Sequence, residues 1–425
     1  RGWVAGMSPN GIKGRVTDSG AGSTAAGALD IPLPGLTVEL YDAASLTTPV
    51  GTATTLADGS YEFLDIATMN YVVQVKTADK TAKGYRDLNP VTGQLTITNL
   101  PVAGITGQNF ILGGTYSFSG KIEKDTTGDR VVDASIPNVE TTLIWAGPNG
   151  TFGDTDDVKF GSVAAAGSNI VLAGKTDVNG QYTYVNLPNG KYRVGYTDTG
   201  ATFTGLALIP TTVIAGNTLQ PREGTVASAN ITTANFAYET LANLEGRIVF
   251  DTNGNNLYDA ADFGIAGIPL TIYRKNGVNY DLLPLTATTN ATGNYTFTGV
   301  PYGEYRVVVT TTTLTTLSPV FDKDGTADSK IELAFSSTVA EQSNWHFGYN
   351  GKAGSSKSVT VKTRLDSNSN AAYDATDAAQ GATQVIIAGP FVSGMITTNG
   401  SGDYNFPKLP YGDYTFTTQT IAGLA

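Results

Sequence analysis

The 425-residue sequence contains no cysteine. That excludes disulfide staples, thiol catalysis and cysteine-ligated zinc. It does not assign a compartment, because a large β protein can be held by core packing or metal ions instead. There is one histidine, His346, which excludes multi-histidine metal sites and weakens any Ser-His-Asp reading. Charged residues make up only 15% of the chain, and runs of Glu, Lys, Leu and Ala suited to long helices are missing. The net charge is −11 with no basic block, so no nucleic-acid partner is expected. No apolar run approaches the roughly 18 residues that span a bilayer, so no membrane insertion within this chain is expected. The opening residues RGWVAGMSPN lack the features of a signal peptide, and the chain reads as a mature product or a fragment of something longer.

What is present favours strands. The hydrophobic fraction of 40% is enough for packed cores. Fifty glycines, 21 tyrosines and 16 phenylalanines, with many Thr and Val, suit strands joined by tight turns. The length accommodates three or four ordinary domains. The expected class is all-β.

A repeat runs through the chain. A Gly-x-Tyr turn is followed ten residues later by a second tyrosine in DGSYEFLDIATMNYVVQV, NGQYTYVNLPNGKYRVGY, TGNYTFTGVPYGEYRVVV and SGDYNFPKLPYGDYTFTT. The pairs are Tyr61/Tyr71, Tyr182/Tyr192, Tyr295/Tyr305 and Tyr404/Tyr414. Each copy reads as two strands joined by a short loop. Tyr295 and Phe297, two apart, project from one sheet face, and Tyr305, Val307 and Val309 alternate along the return strand. Each unit opens with a strand (GIKGRV, FSGKIEKD, LEGRIVFD, VTVKTRLD), and the first three close with an aromatic one (QNFILG, ANFAYE, WHFGYN). About seven short strands in roughly 110 residues point to a Greek-key sandwich. The expected architecture is four tandem Ig-like β-sandwiches in an elongated rod, at residues 1–113, 114–240, 241–350 and 351–425, with short semi-rigid joins. The fourth unit stops at Ala425 without a closing strand.

One stretch carries possible chemistry. In DTNGNNLYDAAD, from Asp251 to Asp262, oxygen-bearing side chains fall at positions 1, 3, 5, 9 and 12, the spacing of an EF-hand calcium loop. Its flanks are strands, where an EF-hand has helices. The expected ligands are Asp251, Asn253, Asn255, Asp259 and Asp262, with the Leu257 carbonyl. The fourth unit repeats the spacing with Asp366, Asn368, Asn370, Asp374 and Asp377, and the carbonyl of Ala372. Position 6, glycine in an EF-hand, is Asn256 or Ala371; Asn tolerates a left-handed backbone better than Ala. Position 12 is Asp where an EF-hand has Glu. The second unit offers Asp125, Thr127, Asp129 and Asp133, with Ile136 counted at position 12, so weaker or no binding is expected there. FDKDGTADS (Asp322, Asp324, Asp328) and FGDTDDV (Asp154, Asp156, Asp157) are further candidates, weighed against plain turn capping by Asp.

The third unit, GRIVFDTNGNNLYDAADFGIAGIPLTIY through TGNYTFTGVPYGEYRVVV and FDKDGTADSK to WHFGYN, resembles the B-type repeats of serine–aspartate repeat adhesins. Units two and four match more loosely, and unit one keeps mainly the hairpin and the PGLTVELY strand. The wider relatives are the collagen-adhesin B-type and carboxypeptidase-regulatory-like sandwiches. The resemblance implies tandem β-sandwiches at the bacterial cell surface that form an extracellular stalk, with calcium (Ca2+) as the cofactor that stiffens the repeats. It names no ligand. Extracellular modules bind calcium at about 10⁻⁴–10⁻³ M. At roughly millimolar calcium, linkage then supplies about 0.4–1.4 kcal/mol per site, so ordering an acidic loop matters more than added stability.

Other classes are weaker. The acids Asp156/Asp157 and Asp251/Asp259 lie side by side in metal-type loops, not on facing strands as glycosidase carboxylates do, so no enzyme is expected. Trp3, Trp145 and Trp345 suggest stacking platforms for a host or cell-surface protein or glycan, but Trp345 beside Phe347 fits core packing, with His346 on the surface of that strand. Lys121, Glu140 and Asn235 occupy places suited to an isopeptide bond in unit two. Finally, GWVAGM is similar to the missing closing strand, which allows self-association by strand addition into a filament; a truncated sequence is the preferred explanation of the missing strand.

Overall fold

The computed structural model describes residues 10–19, 30–155, 157–161, 175–197, 202–210, 221–259, 261–337 and 342–419. It is all-β, as expected, with short helical pieces at Thr77–Lys83 and Thr311–Thr313. The chain divides into two compact units. One comprises Arg1–Lys124, Val132–Thr204 and Leu208–Tyr238, and the other Asp125–Val131, Gly205–Ala207 and Glu239–Ala425. Of the four predicted repeats, the first falls in the first unit and the third and fourth in the second, while the second repeat lies mainly in the first unit with its Asp125–Val131 and Gly205–Ala207 segments in the second.

In the first unit, the opening strand Gly11–Asp18 pairs antiparallel with Ser60–Leu64 and parallel with Phe110–Gly114, matching Val16 to Phe110. The facing sheet runs Gly51–Thr54, Thr37–Asp42, Tyr71–Val75, Gln94–Ile97. Alternate residues Val38, Leu40, Tyr71, Val73 and Val75 turn inward onto Ile12, Val16 and Tyr61. The next repeat has the same plan: Tyr116–Asp125 pairs with Gln181–Leu187, opposite a sheet of Val158–Gly161, Glu140–Trp145, Gly190–Thr197 and Arg222–Val226.

In the second unit, the strand Phe236–Phe250 pairs antiparallel with Asn294–Pro301 and parallel with Phe347–Gly351, matching Ile248 to Phe347. Its facing sheet is Asn279–Thr288, Pro269–Asn276, Gly303–Val309, Lys330–Phe335. The fourth repeat pairs Ser356–Lys362 with Asp403–Pro410, and Gln384–Ala388 with Ser393–Thr397 and Thr415–Thr418. Buried residues of these two repeats form one cluster. Each aromatic ring buried there contributes about 1.5–3 kcal/mol of transfer free energy.

The repeated Gly-x-Tyr turn has a steric origin. Gly293 has φ +76°, and a Cβ there would lie 2.4 Å from Ile248 O. Gly59, Gly180 and Gly402 stand in the same relation to Val16 O, Ile122 O and Thr363 O. Only glycine combines this left-handed backbone with so close an approach to the opening strand.

The two tyrosines of each pair act differently. The first reaches across the core to the residue two before the strand that closes the repeat: Tyr61 Oη donates to Gln108 O at 2.6 Å and Tyr295 Oη to Trp345 O at 2.5 Å, and Tyr182 Oη donates to Ala234 O. The second braces its own hairpin by donating to the carbonyl four residues back: Tyr71 to Ala67, Tyr192 to Pro188 and Tyr305 to Pro301, at 3.0, 2.8 and 2.5 Å. In the fourth repeat the Tyr414 hydroxyl is buried without a hydrogen-bond partner among the described residues.

Candidate metal loops

The third-repeat loop follows directly from its opening strand. Asp251 is fully buried, and its backbone N–H donates to Tyr349 O of the closing strand. Its Oδ1 accepts from the N–H groups of Gly254 and Asn255, and its Oδ2 from Asn256 N and Asn350 Nδ2. Asn253 and Asn255 make local turns, accepting from Asn255 N and Leu257 N, while both amide nitrogens donate to Asp259 Oδ2 at 2.8 and 3.1 Å. Asp262, 3% exposed, spans the loop's two ends, accepting from Thr252 N and Asp259 N at 3.1 Å each. Burial raises the Asp262 carboxyl to about 6, and the charges of Asp259 and Asp251 add to this.

The fourth-repeat loop has the same frame. Asp366 accepts from Asn370 N and Ala371 N; Asn368 and Asn370 donate to Asp374 Oδ2; Asp377 accepts from Ser367 N and Asp374 N. Ala372 donates its N–H to Asn370 Oδ1. Hydrogen bonds from Thr376, Asn368 and Asn370 hold Asp374 below the usual carboxylate range. Position 6 is left-handed in both loops, with φ +60° at Asn256 and +58° at Ala371; the second accepts the strain that its Cβ brings. The difference lies in burial: Asp366 is exposed where Asp251 is enclosed by its closing strand.

The second-repeat loop corrects the position count. Asp125 is buried and saturated, accepting from Thr127 N and Oγ1, Gly128 N and Arg130 N. Asp129 caps Val131 N, and Arg130 takes the left-handed position at φ +65°. Lys124 pairs with Ala134 as Phe250 pairs with Phe263, so Asp133 stands where Asp262 stands and not at the place of Asp259. Asp262 lies eleven positions after Asp251, but Asp133 only eight after Asp125, so this loop is three residues shorter. Ile136 is accordingly no failed ligand. It matches Ile265, each N–H donating into the opening strand at Ile122 O or Ile248 O, and both side chains are core.

Asp322, Asp324 and Asp328 share one turn, in which Asp322 Oδ2 accepts from Asp328 N and Asp324 from Thr326 N and Glu332 N. Asp322 Oδ1 is buried without a hydrogen-bond partner among the described residues, and burial first, then Asp324, raises this carboxyl to about 6. Asp154 accepts from Asn149 Nδ2 and Asp157 from Gly153 N, both local caps. Asp156, Trp3 and the N-terminal residues 1–9 lie outside the described residues, as do residues 420–425.

One expectation is overturned. Lys121 Nζ pairs with Glu123 on an exposed surface, Glu140 pairs with Lys175, and Asn235 Oδ1 accepts from the backbone N–H of Lys121. The side chains of Lys121, Glu140 and Asn235 therefore do not meet as an isopeptide triad: alternation along the strand turns the lysine outward. His346 lies, as expected, on the face opposite Trp345 and Phe347, and is half-buried there. Its ring stacks on Tyr258 at 3.9 Å, its Nδ1 accepts from Arg247 N, and burial, with Arg247 and Lys323, lowers it to about 4. Trp345 and Trp145 are core, 1% and 3% exposed.

Two features of the third loop fit calcium: two buried carboxylates, Asp251 and Asp262, and a left-handed position 6. The carboxamides at positions 3 and 5 turn their nitrogens to Asp259 Oδ2. Among the described residues no group of three or more His, Cys, Asp or Glu forms a metal cluster. Any ion here would depend on the Asn oxygens and a backbone carbonyl as well. Sequence spacing did not reveal Asn350, which reaches Asp251 from 99 positions away.

This is the construction of tandem β-sandwich modules with acidic loops between their first strands. Residues 242–349 match the SdrD B-like domain, so the third repeat is a domain of the family its motifs resemble. Serine-aspartate repeat-containing protein D of Staphylococcus aureus (strain MW2) is 25% identical over 404 residues, 92% of this chain and 28% of that protein. Serine-aspartate repeat-containing protein F of Staphylococcus epidermidis is 28% identical over 209 residues, covering 47% of this chain and 11% of the relative. Colossin-B of Dictyostelium discoideum is 24% identical over 65% of this chain and 9% of its own length. The chain spans less than a third of the length of each of these relatives. Among solved structures, the streptococcal ancillary pilin aligns over 81% of this chain and 99% of its own, with 13% identity and a TM-score of 0.32. The Bacillus anthracis TIE protein aligns over 80% of this chain and 49% of its own, with 16% identity and a TM-score of 0.33. An extracellular, cell-surface location agrees with the SdrD-type kinship. No helix among the described residues is long and apolar enough to cross a membrane.

Proposed function

We propose that this chain is a non-enzymatic structural segment of a surface stalk or fibre, in which calcium orders the acidic loops of the third and fourth repeats and so stiffens them. The observation that carries this reading is that Asp251 and Asp262 are buried in one loop with Asp259, where burial, then the charges of Asp259 and Asp251, raises Asp262. A divalent cation would relieve that repulsion. Asp251, Asn253, Asn255, Asp259, Asp262 and the Leu257 carbonyl would hold it, and the ion would supply only charge and geometry. The fourth loop, with the same frame and an exposed Asp366, would bind more weakly. The second loop, three residues shorter and with no counterpart of Asp259, would bind weakest. Asp322, whose Oδ1 is buried without a hydrogen-bond partner among the described residues, is a second candidate ligand group in the third repeat. Calorimetric melting of the full chain in about millimolar calcium and in chelator tests this. A transition raised by calcium and no longer raised in Asp262→Asn supports it; melting indifferent to calcium refutes it.

A further inference from the structure

The first compact unit holds a cavity of 210 Å³ where the first and second repeats meet. Leu33, Leu36 and Tyr85 of the first repeat and Trp145 of the second line it, together with two exposed lysines, Lys83 and Lys191. No described Asp or Glu lines it, although the chain carries a net charge of −11. Its walls are pinned to each other. Asn189 N donates to Lys83 O and Asn189 Nδ2 to Ala82 O, both at 3.0 Å, while Asn189 Oδ1 accepts from Ser228 N.

Trp145 is only 3% exposed, yet its Nε1 has no hydrogen-bond partner among the described residues. A buried donor left without an acceptor is costly. The indole nitrogen faces Gly190, another wall of the cavity, where a Cβ would strike it. The corresponding position of the third repeat shows what such a donor takes. Trp145 pairs across its sheet with Tyr192 as Arg274 pairs with Tyr305, the second tyrosine of each repeat. Gly303 lies against Arg274 as Gly190 lies against Trp145. Arg274, however, donates to the Glu239 carboxylate and to Tyr302 O. Glu239 stands three residues after Phe236, which closes the second repeat; three residues after Phe110, which closes the first, is Gly113. Arg274 thus receives a carboxylate from the chain itself, and Trp145 receives none.

We propose that this cavity binds a carboxylate borne on an apolar group about the size of one amino-acid residue. Lys83, Lys191 and the Trp145 N–H supply charge and donors, and Leu33 and Leu36 supply the apolar bed. Pockets for larger ligands run to roughly 300–1,000 Å³, so only a residue-sized group fits. A sugar ring would find no stacking platform, because Trp145 is almost wholly covered. An amine would meet two ammonium groups. A free small acid and the C-terminal residue of a peptide share the required chemistry.

Titration of the isotope-labelled full chain, followed at its tryptophan indole N–H signals, tests this. Trp145→Phe assigns the Trp145 signal; should it fold poorly, Trp3→Phe and Trp345→Phe assign it by elimination. N-acetyl-leucine is expected to move that signal saturably, and N-acetyl-leucinamide, which lacks the carboxylate, to leave it in place. Lys83→Gln combined with Lys191→Gln, both at exposed positions, should weaken binding roughly 2- to 30-fold. Isocaproate separates the sources: binding equal to that of N-acetyl-leucine points to free acids and weaker binding to peptide ends, and either supports the site. A Trp145 signal unmoved by both acids, an equal response to the amide, or an affinity unchanged by the paired lysine substitutions overturns the proposal.

Discussion

Arg274 Nη1 donates to Glu239 Oε2 at 2.6 Å, and each side chain is only 6% exposed. The same guanidinium donates to Tyr302 O at 2.8 Å, which anchors it to the hairpin of the third repeat. Arg130 Nε lies 4.0 Å from the same carboxylate. Two cations therefore share one buried anion.

Removing that anion should cost more than removing either cation. Glu239→Leu leaves two guanidiniums facing each other and is expected to destabilise the second unit by about 3–5 kcal/mol. Arg274→Leu should cost less, because Arg130 still faces Glu239. Chemical denaturation orders the two variants, and the reverse order contradicts the account.

The tyrosines offer a graded test. Tyr295→Phe leaves the carbonyl of buried Trp345 without its donor and should cost about 1–3 kcal/mol. Tyr414→Phe removes a buried hydroxyl that has no hydrogen-bond partner among the described residues, and should be neutral or stabilising. Equal losses from the two substitutions would show that the hydroxyl contacts do not carry the effect.

Much of this frame was legible in the sequence, because glycine and tyrosine at fixed spacing report backbone and packing constraints that every repeat must meet. Gly293 and Tyr295 announce the turn against Ile248 and the core-facing strand. The acidic loops were legible as spacing, and Asn256 and Ala371 do adopt the left-handed conformation that the pattern requires. The place of Asp133 was not legible. A three-residue shortening leaves the spacing looking like an incomplete EF-hand, and only strand pairing reveals the true correspondence. Asn350 was missed for a different reason: it reaches the loop from a strand that is neighbouring in space and distant in sequence.

Acidity acts on the third repeat with opposing signs. Asp262 binds a proton more readily in the folded state, its carboxyl raised to about 6. Without calcium its contribution therefore falls as pH rises from about 4 to about 6. His346, lowered to about 4, binds its proton more readily when unfolded, so its contribution rises from about pH 4 to about 6.5. His346→Gln should steepen the gain in stability on acidification in chelator. Melting temperatures measured between pH 4 and 7 check this; an unaltered slope contradicts it.

Protonation should also compete with the cation. Calcium binding by the third loop requires ionised Asp262, so affinity is expected to fall as pH drops below about 6. Titrations at pH 7.5 and 5.5 measure the difference, and equal affinities would exclude Asp262 from the ligand set.

The central claim, that the third-repeat loop is a calcium site which orders the modules, is tested most directly by isothermal titration of the chelator-treated full chain with calcium, alongside Asp251→Ala and Asp262→Asn. Saturable binding with a dissociation constant of about 10⁻⁴–10⁻³ M, in which each variant loses its tightest step, is the predicted result. No binding heat, or binding indifferent to both substitutions, would contradict it.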